Sequence, residues 1–264
     1  VKSLKALGLL LAMLIGGPAT ANETLMKEIA PTGKLRVAVV FAPSAGAFFV
    51  AKEADGKPNG VTADIAAALA QKLNLPIEYV LLPNSGLATD AVENGTVDVS
   101  FMPVDDERLK RIAFGPNYVL GESTYMVTAA TGAKTVDDVD KPGMRVIGVA
   151  NTTTIRAATR KLKNTKIIAA TSVEEAVGLL RDGKADAFAL SRDTLPTYVK
   201  QVPGSYMVDG AFHQVAVAIA VAKNKPAALA AVTEFLTEAK KNGTVRHIFD
   251  KHGLKEAQVA PPTQ

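Results

Sequence analysis

The sequence predicts an α/β protein of two lobes, each a mostly parallel sheet flanked by helices, the two joined by a two-strand hinge. Three observations lead there. Apolar, β-branched runs alternate with segments of helical period. The alternation runs through two β-α-β-α-β units. The ends of those units also repeat in detail: ENGTVDVSFMP (93–103) and RDGKADAFALS (181–191) both read as helix end, glycine, two residues, aspartate and apolar strand. Two similar α/β units imply two lobes.

The first unit opens with KLRVAVVF (34–41), a near-continuous run expected of a strand covered on both faces. TADIAAALAQKLN (62–74) follows as a helix, with apolar Ile65, Ala66, Leu69, Ala70 and Leu73 on one face and Thr62 as its N-cap. PIEYVLLP (76–83) is a strand, LATDAVENG (87–95) a short helix and VDVSFM (97–102) a strand. The second unit places strands at 143–150, 166–171 and 185–190, with helices at 153–163 and 173–183. STYMVTAA (123–130) reads as a strand between the units. A further strand at 215–222 precedes a long helix from Pro226 to Asn242 and a helical piece over 244–253. Strand-like stretches at 120–127 and 212–219 fall where the chain passes between lobes. Two crossings make the first lobe discontinuous, 22–121 plus 214–254, around a second lobe of 122–213. Residues 255–264 are expected to be a disordered tail.

The first 21 residues stand apart. Lys2 and Lys5 precede an apolar ALGLLLAMLIGG (6–17), and ATA (19–21) offers small residues at the −3 and −1 positions of a signal-peptidase site. The apolar run is shorter than the ~20 residues needed to span a bilayer, so cleavage after Ala21 is expected. There is no cysteine. Disulfides and a lipoprotein anchor both need one, so the mature chain is expected to be a free periplasmic protein that relies on its core.

Of all residues, 48% are hydrophobic and 21% charged, with a formal charge of +4 and acids and bases interspersed. Aromatics make up only 5% and tryptophan is absent, which argues against a nucleic-acid surface of clustered cations and stacking platforms. His213, His247 and His252 are the only histidines, and no metal-ligand spacing, phosphate loop or Gly-x-Ser-x-Gly occurs. No cofactor or metal is expected.

Ligands of parallel α/β sheets sit beyond the carboxyl ends of strands, near helix N-termini. That rule selects 43–49, 101–108, 150–154 and 191–193. Arg108, just past the tip of the 97–102 strand, can aim a planar fork of donors at a carboxylate. The alternative is a surface arginine paired with Asp105 or Asp106. Thr152, Thr153 and Thr154 open a helix whose unpaired N–H groups and hydroxyls suit an anion, with simple N-capping as the alternative. Phe101, Met102 and Pro103 belong to the strand tip, and Ser191 and Asp193 to the 191–193 segment. Glu122 and Asp193 are candidate cleft carboxylates. Phe48, Phe49, Tyr118 and Tyr125 line either pocket or core.

Taken together, GKLRVAVV (33–40), GKPNGVTADIAAALAQKL (56–73), NGTVDVSFM (94–102), ERLKRIAFGPNY (107–118), GVANTTT (148–154) and DGKADAFALSRD (182–193) resemble the periplasmic solute-binding proteins of ABC importers, specifically the polar amino-acid family, bacterial extracellular solute-binding protein family 3. The resemblance runs from about Gly33 to Gly253. It implies the type II periplasmic-binding-protein fold, a small anionic solute trapped between lobes, lobe closure, transient docking on an inner-membrane permease, a monomer and no catalysis. It also implies that Arg108, Thr153 and Thr154 hold a ligand α-carboxylate. Two family positions depart. The Thr or Ser expected five residues before the arginine is Pro103, and the acidic residue expected after the DAF strand is Ser191. Both usual partners of the ligand α-ammonium are therefore replaced. A buried ammonium without a countercharge costs several kcal/mol. The solute is then either a carboxylate lacking a free α-amine, or one whose amine is held elsewhere, by Asp193 or Glu122. Two other readings stand beside import. Similar proteins include a cyclohexadienyl dehydratase, for which Glu122 is the candidate acid/base group, and a sensory ligand-binding role fits the same architecture.

Overall fold

The computed structural model describes residues 18–42 and 47–261. The charged and apolar parts of the expected signal peptide lie outside the described residues, as do 43–46 of the expected 43–49 loop. Helix α1 (Pro18–Ile29) runs through the expected cleavage point after Ala21. Its far end is anchored: the Glu28 carboxylate accepts from Ala227 N and Ala228 N at 2.7 and 3.0 Å, serving the N-terminus of a later helix that has no side-chain cap of its own.

The first half then runs β1 (Leu35–Val40), the small β2 (Ala51–Lys52) and β3 (Pro58–Asn59) ladder, α2 (Val61–Lys72), β4 (Ile77–Leu82), α3 (Ser85–Glu93), β5 (Val99–Pro103) and α4 (Asp106–Arg111). The 16-residue β6 (Ile112–Val127) leads to the second half: β7 (Val146–Val149), α5 (Thr153–Lys161), β8 (Ile167–Ala170), α6 (Val173–Arg181), β9 (Ala187–Ser191), α7 (Leu195–Val199) and β10 (Tyr206–Met207). β11 (His213–Ala222) returns, followed by α8 (Pro226–Lys241), α9 (Thr244–Lys251) and β12 (Gln258–Val259).

The strands form one continuous path, β4-β1-β5-β11-β6-β9-β7-β8. β1 is parallel to β4 and β5, and β7 is parallel to β8 and β9. Between these parallel triplets run β6 and β11, antiparallel to each other and to their outer neighbours. They are the two crossing segments. The result is the two-lobed α/β architecture, a mixed sheet with helices on its faces. Alternation along β1 sets those faces. Val37 and Val39 pack with Val61 and Ile65 of α2 and Val232 and Phe249 of α8 and α9, whereas Ala38 packs with Ala88 and Val92 of α3. So α2 and α3 cover opposite faces.

The repeated aspartates have a structural reason. Asp98 accepts from Arg36 N, Nε and Nη2 at 3.0, 3.0 and 2.7 Å. Asp186 does the same for Arg145, at 2.8, 2.9 and 2.6 Å. Each aspartate thus ties the last strand of its unit to the first through a forked charge pair and a backbone bond.

Several expectations are corrected. Helix α2 begins at Val61 with Gly60 as N-cap, not at Thr62. The reason is steric: a Cβ at Gly60, whose φ is 154°, would lie 2.4 Å from Phe49 O, so only glycine lets the chain turn there. Arg108, expected just past a strand tip with a surface arginine as the alternative, is buried in a short helix, α4, capped by Asp105. The piece expected at 123–130 is the end of a strand that starts at Ile112. The tail is not free over its described part. β12 pairs with β6, Ala260 is buried, and Lys240 Nζ donates to Pro261 O at 2.6 Å. Among the described residues, no helix is long and apolar enough to cross a membrane.

Candidate functional site

Four strand ends and two crossing strands converge on one cavity of about 140 Å³, roughly ten times the ~10–15 Å³ that one water requires. Its walls come from both halves. The first half supplies Val40, Thr62, Asn84, Ser85, Phe101, Met102 and Pro103, and the second Val149, Thr152, Thr153, Thr154, Val173, Leu190 and Ser191. Twelve of the fourteen candidate residues named from the sequence line it: Phe48, Phe49, Phe101, Met102, Pro103, Tyr118, Glu122, Thr152, Thr153, Thr154, Ser191 and Asp193. Arg108 does not. Tyr125 does not line it either; it is a core residue stacked on Phe212 at 4.5 Å.

Arg108 sits one layer behind the wall and is 2% exposed. Asp105 Oδ1, as the N-cap of α4, accepts from Arg108 N at 3.0 Å, which fixes the start of the side chain. The guanidinium donates to Pro103 O at 2.8 Å, Thr153 Oγ1 at 3.1 Å and Ser85 Oγ at 2.8 Å, and Nε has no partner. All three acceptors belong to cavity-lining residues. Burial pulls its pKa below the ordinary arginine value, with Asp105 opposing and Arg156 and Arg111 adding to the shift. Asp105 carries the counter-charge. Burial would raise its pKa, but hydrogen bonds from Thr153, Arg156 and the Arg108 N–H hold it down at about 2. Two guanidinium groups against one carboxylate leave a single positive charge at this place.

The threonines divide their work. Thr152 caps α5, accepting from Ile155 N at 3.2 Å and donating to Val149 O at 2.7 Å. Thr153 donates to Asp105 Oδ2 and accepts from Arg108 and from Arg156 Nη2 at 3.3 Å. Arg156 Nη2 also donates to Asp105 Oδ2. Asn84 adds a second tie: its Oδ1 caps α3 while its Nδ2 donates to Thr171 O at 2.9 Å. Beside it, a Cβ on Gly86 would lie 2.5 Å from Asn151 Cβ. The two halves therefore meet directly along this edge.

A second charged place lies toward the crossing strands. Across β11, Val217 is opposite Pro103 and Val215 is opposite Gly121, two residues apart, or roughly 7 Å along a strand. A Cβ on Gly121 would stand 3.5 Å from Asp193 Oδ2. Asp193 reaches solvent at the cavity mouth, yet protein crowds its other side. Burial raises its carboxyl pKa, Arg192 opposes that, and Glu122 adds to it. Glu122 is already engaged, with Arg192 Nε at 2.9 Å and Gln214 Nε2 at 3.1 Å. Here two carboxylates face one guanidinium, and one negative charge is left over.

Between these places the wall is apolar. Phe101 and Tyr118 meet edge to face at 6.0 Å, Tyr118 and Phe249 at 6.4 Å, and Phe249 and Phe48 at 5.6 Å. Such pairs stabilise by about 0.5–1.5 kcal/mol each beyond area burial and hold the lining rings rigid. Asn84 and Ser85 are additions to the residues expected from the sequence, although PNSG (83–86) follows a strand and opens a helix, the pattern that selected the other segments. Val215 and Val217 carry no signal; only the pairing of β11 brings them to the cavity. Among the described residues no group of three or more metal-ligating side chains occurs.

A two-lobed α/β fold with a cavity where strand ends from both halves meet has the form of a small-solute binding protein. The family model of the bacterial extracellular solute-binding proteins, family 3, matches residues 37–255, and the chain belongs to that family. The probable amino-acid-binding protein YxeM of Bacillus subtilis is 27% identical over 220 residues, 80% of this chain and 81% of the relative. Among solved structures, the ancestral amino acid-binding protein AncCDT-1, a precursor of cyclohexadienyl dehydratase, is 28% identical, with a TM-score of 0.74 over 86% of this chain and 98% of its own. An ancestral arginine-binding protein bound to glutamine is 27% identical, with a TM-score of 0.74 over 84% and 98%. The solute receptor for L-cysteine of Neisseria gonorrhoeae shares the fold at a TM-score of 0.79 over 88% and 98%, with 22% identity.

Proposed function

We propose that this protein is exported with the help of its N-terminal segment, binds an α-amino acid in its zwitterionic form between the lobes, and hands the solute to an inner-membrane ABC importer without chemical change. The observation that carries the reading is a cavity with a surplus positive charge behind Ser85 and Thr153 and a surplus negative charge at Asp193. A ligand carboxylate at the first place takes a hydrogen bond from the Ser85 hydroxyl, with the Arg108 charge behind it, while the Thr153 hydroxyl gives its one proton to Asp105. A ligand ammonium at the second place is met by Asp193, which takes over the role that Pro103 and Ser191 lack the chemistry to fill. YxeM and the ancestral binding proteins support an amino acid over an oxo acid.

Lobe closure is part of the proposal, with the lobes divided at about 121 and 213. It is supported by Asp105 with Thr153 and Arg156, by Asn84 with Thr171, and by the Gly86–Asn151 approach. Each pairs a residue of the first lobe with one of the second, so opening the cleft would break it. The engagement of Glu122 by Arg192 and Gln214 argues against its use as an acid/base group, and so for binding over dehydration. Isothermal titration with the common amino acids and with prephenate, followed by analysis of the recovered solute, tests both points. Tight binding of an unaltered amino acid is expected; release of carbon dioxide from prephenate would overturn the assignment.

A further inference from the structure

The surplus positive charge beside the cavity depends on Arg156. Arg108 lies in α4 and Asp105 caps it, both in the first lobe, whereas Arg156 lies one turn into α5, in the second. Within the first lobe alone, Asp105 offsets the Arg108 charge. Where the lobes meet, Arg156 Nη2 donates to Asp105 Oδ2 and, at 3.3 Å, to Thr153 Oγ1. Arg108 Nη1 donates to that same threonine oxygen at 3.1 Å. The two guanidinium groups thus approach within two hydrogen-bond lengths, with one carboxylate to share. After burial, the largest influences on the Arg108 pKa are Asp105, which raises it, and Arg156, which lowers it. Nearby acids supply no second countercharge. Glu107 pairs with Lys110, and Asp90 and Glu93 pair with Arg111, all with side chains that reach water and are screened by it. Asp106 is exposed as well. The Asp105 side chain is only 9% exposed. Neither Asp105 nor Arg156 lines the cavity, so neither touches the solute.

We infer that Arg156 is a positioning residue for the solute carboxylate: on lobe closure it takes up the Asp105 charge and so turns the neutral Arg108–Asp105 pair of the first lobe into the cation that the carboxylate meets. The inference rests on the amino-acid reading of the cavity and on lobe closure, and it names what makes an anionic end preferred. The open first lobe takes a carboxylate and its uncharged isostere nearly alike. The charge is distinguished when the second lobe arrives. Closing on an uncharged end brings two cations onto one carboxylate, and like charges this close oppose each other. Closing on a carboxylate sets two cations against two anions. Arg156 therefore makes closure conditional on the charge of the solute.

The experiment is displacement calorimetry on the full mature chain with each common L-amino acid beside its primary amide, such as L-leucine with L-leucinamide and L-arginine with L-argininamide. The amide matches the acid in shape and lacks its negative charge. At about pH 6.5, below the ~7.7–8.0 of a free α-amine, both members keep the ammonium. The wild type binds the acid of a pair more tightly than the amide. Arg156→Gln lowers that acid-to-amide ratio about tenfold, the effect of one lost charge coupling, and Arg156→Lys restores most of it. Gly86→Ala, which hinders closure without altering a charge, weakens acid and amide together and leaves the ratio as it is. A wild type that binds the amide as tightly as the acid overturns the inference. So does an Arg156→Gln protein that weakens both members equally, which makes Arg156 a mechanical tie and leaves the proposed function standing. Failure of every amino acid to bind the wild type overturns this inference and the proposed function together.

Discussion

Three side chains carry the electrostatics, and each has its own test. Arg108 is a buried cation with its hydrogen bonds spent on lining residues. Truncating one partner of a buried charge pair costs about 2–5 kcal/mol, so Arg108→Ala is expected to weaken amino-acid binding by that amount in calorimetry; near-normal affinity would remove Arg108 from the account. Asp193 has its carboxyl pKa raised above the ordinary 3.8 by burial. It is ionised at neutral pH and neutralises as pH falls through that raised value. Affinity for an amino acid should therefore drop on acidification before ordinary carboxylates titrate. Asp193→Asn should bind weakly at neutral pH and lose that pH dependence. Asp105 behaves oppositely. Its folded pKa of about 2 lies below the ordinary 3.8. Its contribution to the closed form is fully present above about pH 4 and is lost as pH falls through 2.

At the scale of elements, the paired units are legible in the sequence alone, because helix end, glycine and aspartate precede an apolar strand in both. What the pattern hides is the partner. Arg36 and Arg145 open the first strand of each unit, and only the sheet order brings them to Asp98 and Asp186. Asp98 is buried, whereas the Asp186–Arg145 pair is half exposed. Asp98→Ala should cost about 3–5 kcal/mol of stability, as for a buried pair losing one member, and Asp186→Ala distinctly less, both read from denaturant melts. Helix starts are harder to read. A cap depends on which residue the backbone lets turn, and at Gly60 the nearby Phe49 carbonyl decides that. The burial of Arg108 is equally hidden, because a short capped helix and a surface loop share the same charged composition.

For the whole molecule, the two-lobed plan and its two crossings follow from alternation and repetition, since those depend on local period alone. The cavity's composition is largely visible too, because strand ends select short segments. Its charge balance is not. That requires knowing that Asp105 neutralises one of two arginines and that Arg192 engages Glu122. Closure makes its own prediction. Gly86 leaves no room for a Cβ against Asn151 when the halves meet. Gly86→Ala should therefore resist closing, weaken binding by about 1–3 kcal/mol, and show less compaction in small-angle scattering on addition of the solute. Equal compaction would mean that this edge is not where the lobes meet.

The central claim is that one cavity neutralises both ends of a zwitterion. Its most direct test is a titration comparing the preferred amino acid with two analogues, the 2-oxo acid lacking the ammonium and the amine lacking the carboxylate. Loss of either end should weaken binding by more than about tenfold, given the cost of leaving a partly buried charge unpaired. An oxo acid bound as tightly as the amino acid would contradict the claim.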